Sequence, residues 1–277
     1  MRGAGEDELG GDHEVRCGDC LDPVSGMASL ADKSVDHVIC DPPYEAEAHT
    51  LQRRLKRASG KHDGATYAGK DASVAVIESL SFAPITATIR SAAAVEIARV
   101  TKRWVLVFCQ AEAVAAWRDA LADVGLVYKR AVVWVKPDGQ PQLTGDRPGM
   151  GYESIVCAHV AGRSRWNAGG KLGVFTFNKN NGAEQNLHET QKPLALMEAL
   201  VRDFTDPGEL VLDPFCGSGT TGAACKRLGR RFLGWELSPT YAAVARKRID
   251  AAREQFNLLD QRHVRAKQAT LALPEDK

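Results

Sequence analysis

From about Glu14 onward, short apolar runs rich in β-branched residues alternate with stretches whose apolar positions recur at helical spacing. Runs at Val15–Cys17, Val35–Cys40, Trp104–Cys109, Val127–Val135, Glu153–Val160, Glu209–Leu212 and Arg231–Trp235 predict seven strands. Helical patterns at Pro84–Val100, Ala111–Val124, Pro193–Phe204, Thr220–Leu228 and Pro239–Arg253 lie between them. Pro84, Pro193 and Pro239 stand where a first-turn proline belongs, and Gly125 and Gly229 follow two of the helices as stops. Strands and helices in alternation predict an α/β, doubly wound, mostly parallel sheet with crossover helices on both faces.

Two long segments break the alternation. Residues 45–83 contain Gln52-Arg53-Arg54-Leu55-Lys56-Arg57, and residues 162–187 contain Gly169-Gly170, Asn178-Lys179-Asn180-Asn181 and three aromatics. Segments of this length inside a compact domain usually serve function. Residues 1–13, rich in glycine and acid, are expected to be a disordered leader, 14–255 the folded domain, and 256–277 a basic tail carrying Arg262, Arg265 and Lys267.

Composition narrows the class. With 277 residues, 44% hydrophobic and 26% charged, the chain can bury one large core, which excludes fibrous and wholly disordered readings. No stretch approaches the roughly 18 uninterrupted apolar residues of a membrane helix, and no apolar signal region follows Met1, so a cytoplasmic protein is expected. Seven dispersed cysteines fit buried small residues in a reducing compartment better than a disulfide framework. The formal charge of +1 neither demands nor excludes nucleic acid, because phosphate binding needs a local basic face.

The first candidate for chemistry is Leu210-Val211-Leu212-Asp213-Pro214-Phe215-Cys216-Gly217-Ser218-Gly219-Thr220-Thr221-Gly222, an apolar strand running into a glycine turn that opens a helix. Such a turn admits a ligand close to the backbone, and the helix start offers amide donors. Gly217, Gly219 and Gly222 match GxGxxG, and Glu236 ends the next strand, where an acid can hold ribose hydroxyls. The pattern fits NAD, FAD or S-adenosylmethionine; a glycine turn that merely packs strand on helix is the plain alternative. The Asp-Pro-Phe wedge favours S-adenosylmethionine, because Asp213 would attract a sulfonium and an ammonium and repel a pyrophosphate. No Gly-Lys-Ser/Thr closes the loop, which excludes a P-loop.

The second candidate is Asp41-Pro42-Pro43-Tyr44, delivered by the apolar run that ends at Cys40. Ligands of open α/β sheets bind at the carboxyl ends of strands. Two prolines stiffen the turn and remove two amide donors, leaving the Asp41 carboxylate and the Pro42 carbonyl as acceptors. That pair suits an exocyclic amino group on a heteroaromatic ring, which Tyr44 could stack once the base has left its duplex. A rigid Pro-Pro turn capped by Asp is the structural alternative.

Asp-Pro-Pro-Tyr after one strand and Asp-Pro-Phe-Cys-Gly-Ser-Gly-Thr-Thr after another resemble motifs IV and I of the S-adenosylmethionine-dependent amino DNA methyltransferases. Their order, with the catalytic turn first, is similar to the permuted β class, and the resemblance runs from Gly18-Asp19-Cys20 to about Ile249. It implies a Rossmann-like methyltransferase sheet, S-adenosylmethionine as cofactor with S-adenosylhomocysteine as product, and DNA as substrate. His188-Glu189-Thr190-Gln191-Lys192-Pro193 resembles motif X, so Thr190 and Lys192 would face the methionine carboxylate. Asp19 and Cys20 would border the adenine, with Phe215, Ser218, Thr220, Thr221 and Leu237 lining the same site and Glu236 on the ribose. Trp134-Val135-Lys136-Pro137 and Tyr152-Glu153 match the late strands. Asp at the catalytic turn goes with adenine more than cytosine in this family, where Ser is commoner for cytosine. Glu189 where Pro is common and Trp235 where Ile is usual depart from the pattern without removing a functional group.

The resulting expectation is transfer to N6 of adenine in DNA by direct displacement, with Asp41, Pro42, Pro43 and Tyr44 as the catalytic turn. N4 of cytosine is the nearest rival and a nicotinamide oxidoreductase a more distant one. No large specificity region is evident, so Arg53, Arg54, Lys56 and Arg57 are candidates for phosphate contact, within the DNA-contacting segments 45–83 and 162–187. Cys17 and Cys20 form a lone CxxC without a second ligand pair, so no metal is expected. Cytosine C5 chemistry uses a Pro-Cys dipeptide, which the sequence lacks, and Cys216 is read as packing. A homodimer, a cognate restriction enzyme and a bacterial or phage origin follow from the family alone.

Overall fold

A computed structural model of the chain describes residues 11–44, 84–139, 145, 148–179 and 191–254. Its sheet has eight strands: β1 (His13–Cys17), β2 (His37–Cys40), β3 (Trp104–Cys109), β4 (Val127–Val135), β5 (Tyr152–His159), β6 (Val174–Thr176), β7 (Leu210–Asp213) and β8 (Arg231–Glu236). Their order is β1-β8-β7-β2-β3-β5-β4-β6. β5 is antiparallel to both its neighbours and every other pairing is parallel.

Seven of these are the predicted runs. The eighth, β6, falls in the segment 162–187 that was expected to be loop; it is three residues long with only Phe175 turned inward, too short to show a period of two. Regular structure also begins within the expected leader, since His13 opens β1 and the Asp12 carbonyl accepts the Phe232 N–H at 2.8 Å.

The helices are α1 (Ala87–Val100), α2 (Val114–Asp123), α3 (Leu194–Phe204), α4 (Thr220–Arg227) and α5 (Pro239–Ala251). Pro239 takes the first-turn place expected of it, behind a Ser238 cap. Pro84 does not: α1 starts at Ala87, because Thr86 caps it by accepting the Ile89 N–H at 3.2 Å. Pro193 is itself the residue before α3. The run from Ala111 begins as a 3-10 turn before α2. Gly125 and Gly229 end α2 and α4 at φ +86 and +70, a conformation with little steric penalty only for glycine.

β3 shows why both faces of the sheet are covered. Trp104, Leu106 and Phe108 point into a core with Leu196, Leu200 and Phe204 of α3 and Ile249 of α5, while Val105, Val107 and Cys109 point into a second core with Ile97 of α1 and Trp117 and Leu121 of α2. All six are buried, each large apolar side chain adding roughly 1.5–3 kcal/mol over its exposed state. The result is helices α3, α4 and α5 on one face and α1 and α2 on the other.

That division locates the site. β2 and β7 are neighbours at the sheet centre, with Val38 level with Leu212. From β2 the chain reaches β3 through α1 on one face, and from β7 it reaches β8 through α4 on the other. Connections that leave on opposite faces open a crevice at the carboxyl ends of the two strands. Asp41 and Pro214 stand at that crevice. Among the described residues no helix is long and apolar enough to cross a membrane.

Candidate active site

Asp41, at the end of β2, is three-quarters buried and has its two carboxylate oxygens in different situations. Oδ2 accepts from the ammonium of Lys192, just ahead of α3, whereas Oδ1 is buried without a hydrogen-bond partner among the described residues. Lys192 is 6% exposed and also reaches Glu153 Oε2 at 3.3 Å. Its charge lies over the rings of Phe108 and Tyr44, at 5.2 and 5.4 Å.

Glu153 joins these groups. Its Oε2 accepts the Tyr44 hydroxyl at 2.6 Å, and its Oε1 accepts from Lys136 Nζ at 2.5 Å. Burial alone would raise the Glu153 carboxyl, but Lys192 and Lys136 draw it down to about 2. Burial also raises the Asp41 carboxyl from its ordinary value, with Lys192 working against the shift. Lys192 stays above its ordinary value, since Asp41 and Glu153 outweigh the burial that opposes its charge. Burial, then the negative charges of Glu153 and Asp41, push the Tyr44 phenol well up, so it remains a donor.

The glycine turn is held from inside. Asp213 is 2% exposed and commits both oxygens to the turn, Oδ2 to the Thr221 hydroxyl at 2.6 Å and Oδ1 to the Phe215 N–H at 3.1 Å. Burial pushes its carboxyl up to about 7. Asp213, expected to attract a cationic ligand, clamps the turn with both oxygens, a structural role the strand–turn sequence does not reveal. Two of the glycines serve packing: a Cβ on Gly219 would meet Ala245 at 2.9 Å, and one on Gly222 would meet Ile249 Cδ1 at 2.4 Å. Gly217, at φ +52, has no neighbouring atom within 4 Å of that position and faces open space. Cys216 is buried in the core, as expected.

Glu236, at the end of β8, accepts the Gly217 N–H at 2.9 Å and the Ser238 N–H at 2.8 Å, while its carbonyl accepts the Gly18 N–H at 2.9 Å. The last bond draws Asp19 and Cys20 to the same strand end. Asp19 is exposed and accepts the Leu21 N–H at 2.9 Å; Cys20 is buried, its thiol pushed up to about 12 by burial. Leu237 is 72% exposed beside them. Trp235 fills the core beneath, its indole donating to the Ser25 carbonyl at 3.2 Å. Thr190, Arg53, Arg54, Lys56 and Arg57 lie outside the described residues.

These groups fit S-adenosylmethionine. A carboxylate at the β8 end can accept from a ribose diol, an apolar side chain stands next to it, an open glycine permits close approach, and the ammonium of Lys192 can face a carboxylate.

Three residues of this neighbourhood were not legible as site residues. Glu153 and Lys136 were expected only as parts of late strands, although charges bounding an apolar strand are a usable signal. Arg248 of α5 donates to the hydroxyls of Ser218 at 3.2 Å and Thr220 at 2.7 Å, fixing the loop from a helix far along the chain.

Residues 35–247 match the N6/N4 methyltransferase family, described as DNA methylase. The type II methyltransferase M.XycI of Xanthomonas campestris pv. cyanopsidis is 32% identical over 145 residues, 48% of each chain. The chain thus spans about half the length, or less, of the curated relatives it matches. The solved M1.HpyAVI–SAM complex superposes with a TM-score of 0.61 at 26% identity, covering 86% of this chain and 98% of that one. The cytosine-N4-specific PvuII DNA methyltransferase superposes at 0.63 but is 15% identical, covering 94% of this chain and 92% of that one, which shows a shared fold.

Proposed function

The chain belongs to the DNA methylase family of N6 and N4 methyltransferases, and from that premise we propose that it transfers a methyl group from S-adenosylmethionine to N6 of adenine in DNA, leaving S-adenosylhomocysteine. The observation that carries the reading is Asp41 at the carboxyl end of β2, with Oδ1 buried and unpartnered among the described residues and Tyr44 tied down beside it. An unpaired buried acceptor is unfavourable until a donor reaches it, and an exocyclic amino group is such a donor. Asp in this position, where Ser goes with cytosine, supports adenine.

S-adenosylmethionine supplies, when bound, an electrophilic methyl on a sulfonium. Glu236 holds the ribose, Asp19, Cys20, Phe215 and Leu237 border the adenine, and Lys192 with Thr190 faces the methionine carboxylate. Asp41 and the Pro42 carbonyl accept the two amino hydrogens, which favours a pyramidal nitrogen and aims its lone pair. Tyr44 stacks on the flipped base. The transfer is an in-line displacement without a covalent enzyme intermediate, driven by positioning and electrostatics. The proton left on the methylated nitrogen then passes to Asp41.

Arg53, Arg54, Lys56 and Arg57 contact DNA phosphates, and segments 45–83 and 162–187 supply recognition. A homodimer, a cognate restriction enzyme and the cytoplasm of a bacterium, as host of the gene or of a phage that carries it, belong to the same reading. Nucleoside mass spectrometry on DNA incubated with the protein and isotopically labelled S-adenosylmethionine tests it. Label in N6-methyladenine is expected. Label in N4-methylcytosine moves the base and keeps the chemistry; unlabelled DNA, despite S-adenosylhomocysteine binding in a calorimetric titration run beside NADH, overturns the reading.

A further inference from the structure

We propose that Glu153 is a positioning residue for the transfer, fixing from the head of β5 both the ring that stacks the base and the cation that touches Asp41. The inference rests on the methyl-transfer reading. Because β5 runs against its neighbours, its first residues lie at the carboxyl ends of β3 and β4, with Glu153 paired to Trp134 and Ser154 to Cys109. A strand that ran with the others would bring its last residues there instead.

Asp41, Lys192, Glu153 and Lys136 form a chain of alternating charge, linked in that order. Glu153, 12% exposed, binds Lys136, Tyr44 and Lys192, and Lys192 in turn reaches Asp41, Glu153 and, at 3.4 Å, the Tyr44 hydroxyl. An ion pair with Lys136 would satisfy a purely structural carboxylate. The bond to Tyr44 at 2.6 Å and the approach to Lys192 at 3.3 Å go instead to the two groups that flank the reacting nitrogen. Without its charge, Lys192 keeps Asp41 as its one carboxylate partner among the described residues and competes harder with the amino group for it. The Tyr44 phenol at the same time loses its charged acceptor, and the ring loses its fixed plane.

Three proteins separate this role from a structural one: Glu153→Gln, Lys136→Gln and the double variant, each measured for kcat and KM, S-adenosylhomocysteine affinity and melting temperature. In Glu153→Gln we expect kcat to fall about a hundredfold, the loss typical of a small misplacement of reacting groups, with cofactor affinity changed far less because the Lys192 ammonium is retained. Its melting temperature drops because Lys136 is left buried without its counter-ion. Adding Lys136→Gln removes that cation, so the double variant recovers melting temperature and not kcat. Recovery of kcat together with melting temperature, or an unchanged kcat in Glu153→Gln, would overturn the inference. If the wild type itself puts no label into DNA, the methyl-transfer reading fails and the inference falls with it, an outcome distinct from an active wild type with an equally active variant.

Discussion

The Lys192 ammonium rests on Oδ2 of Asp41, joining a residue ahead of α3 to the end of β2 across the crevice at the centre of the sheet. The contact splits the carboxylate into one oxygen held by Lys192 and one buried without a hydrogen-bond partner among the described residues. It also makes the charge of the Asp41 turn depend on a residue 151 positions further along the chain.

Asp41→Ala is expected to abolish methyl transfer and leave S-adenosylhomocysteine binding measurable by calorimetry. Wild-type activity in that variant would remove Asp41 from the mechanism.

Lys192→Met should unfold at lower urea concentration, by about 3–5 kcal/mol, because two buried carboxylates then face each other without the cation between them. Urea titration gives the difference directly; a loss below about 1 kcal/mol, the range of an exposed pair, would mean that solvent screens the cluster.

Asp213 makes stability depend on pH. With its carboxyl at about 7, the folded protein keeps a proton that the unfolded chain releases near pH 4. Its contribution is therefore complete below about pH 4 and declines as pH rises to 7, by about 1.4 kcal/mol per unit. Glu153, held at about 2, acts in the opposite sense and only at more acid pH, where protonation removes its contribution. Denaturant unfolding at pH 5 and pH 7 should show a flatter dependence in Asp213→Asn than in the wild type; equal slopes would assign the dependence elsewhere.

Gly222→Ala should destabilise by about 1–3 kcal/mol, since its Cβ would enter the space of Ile249 Cδ1 and the Phe232 ring. Ile249→Val removes that methyl, so the double variant should recover part of the loss in thermal melts. Strict additivity would show that Phe232 alone sets the contact.

Most of the fold was legible because strands buried on both faces are near-continuous apolar runs. Trp104–Cys109 shows this most plainly. The Asp41–Tyr44 and Asp213–Gly222 turns were legible as turns because proline and glycine mark them. β6 escaped because three residues cannot display a period; Pro84 misled because Thr86, two residues on, caps the helix, and Pro193 because it stands at the cap position itself and not in the first turn. Glu153 escaped for a topological reason: sites are sought at strand ends, and only the pairing of β5 with β3 and β4 reveals that its beginning lies at the site. Arg248 escaped because its target is set by how α5 packs on α4.

The reversal of β5 also sets how the chain meets the rim of the crevice. In a wholly parallel sheet, each strand offers the binding rim one outgoing segment, and the return passes beneath. Here the connection from Val135 to Tyr152 leaves from the rim and comes back to it, closed at its base where the Lys136 N–H donates to the Gly151 carbonyl at 2.8 Å. Lys136 and Glu153 stand at its two feet, so their ion pair at 2.5 Å fastens the same base a second time, through side chains.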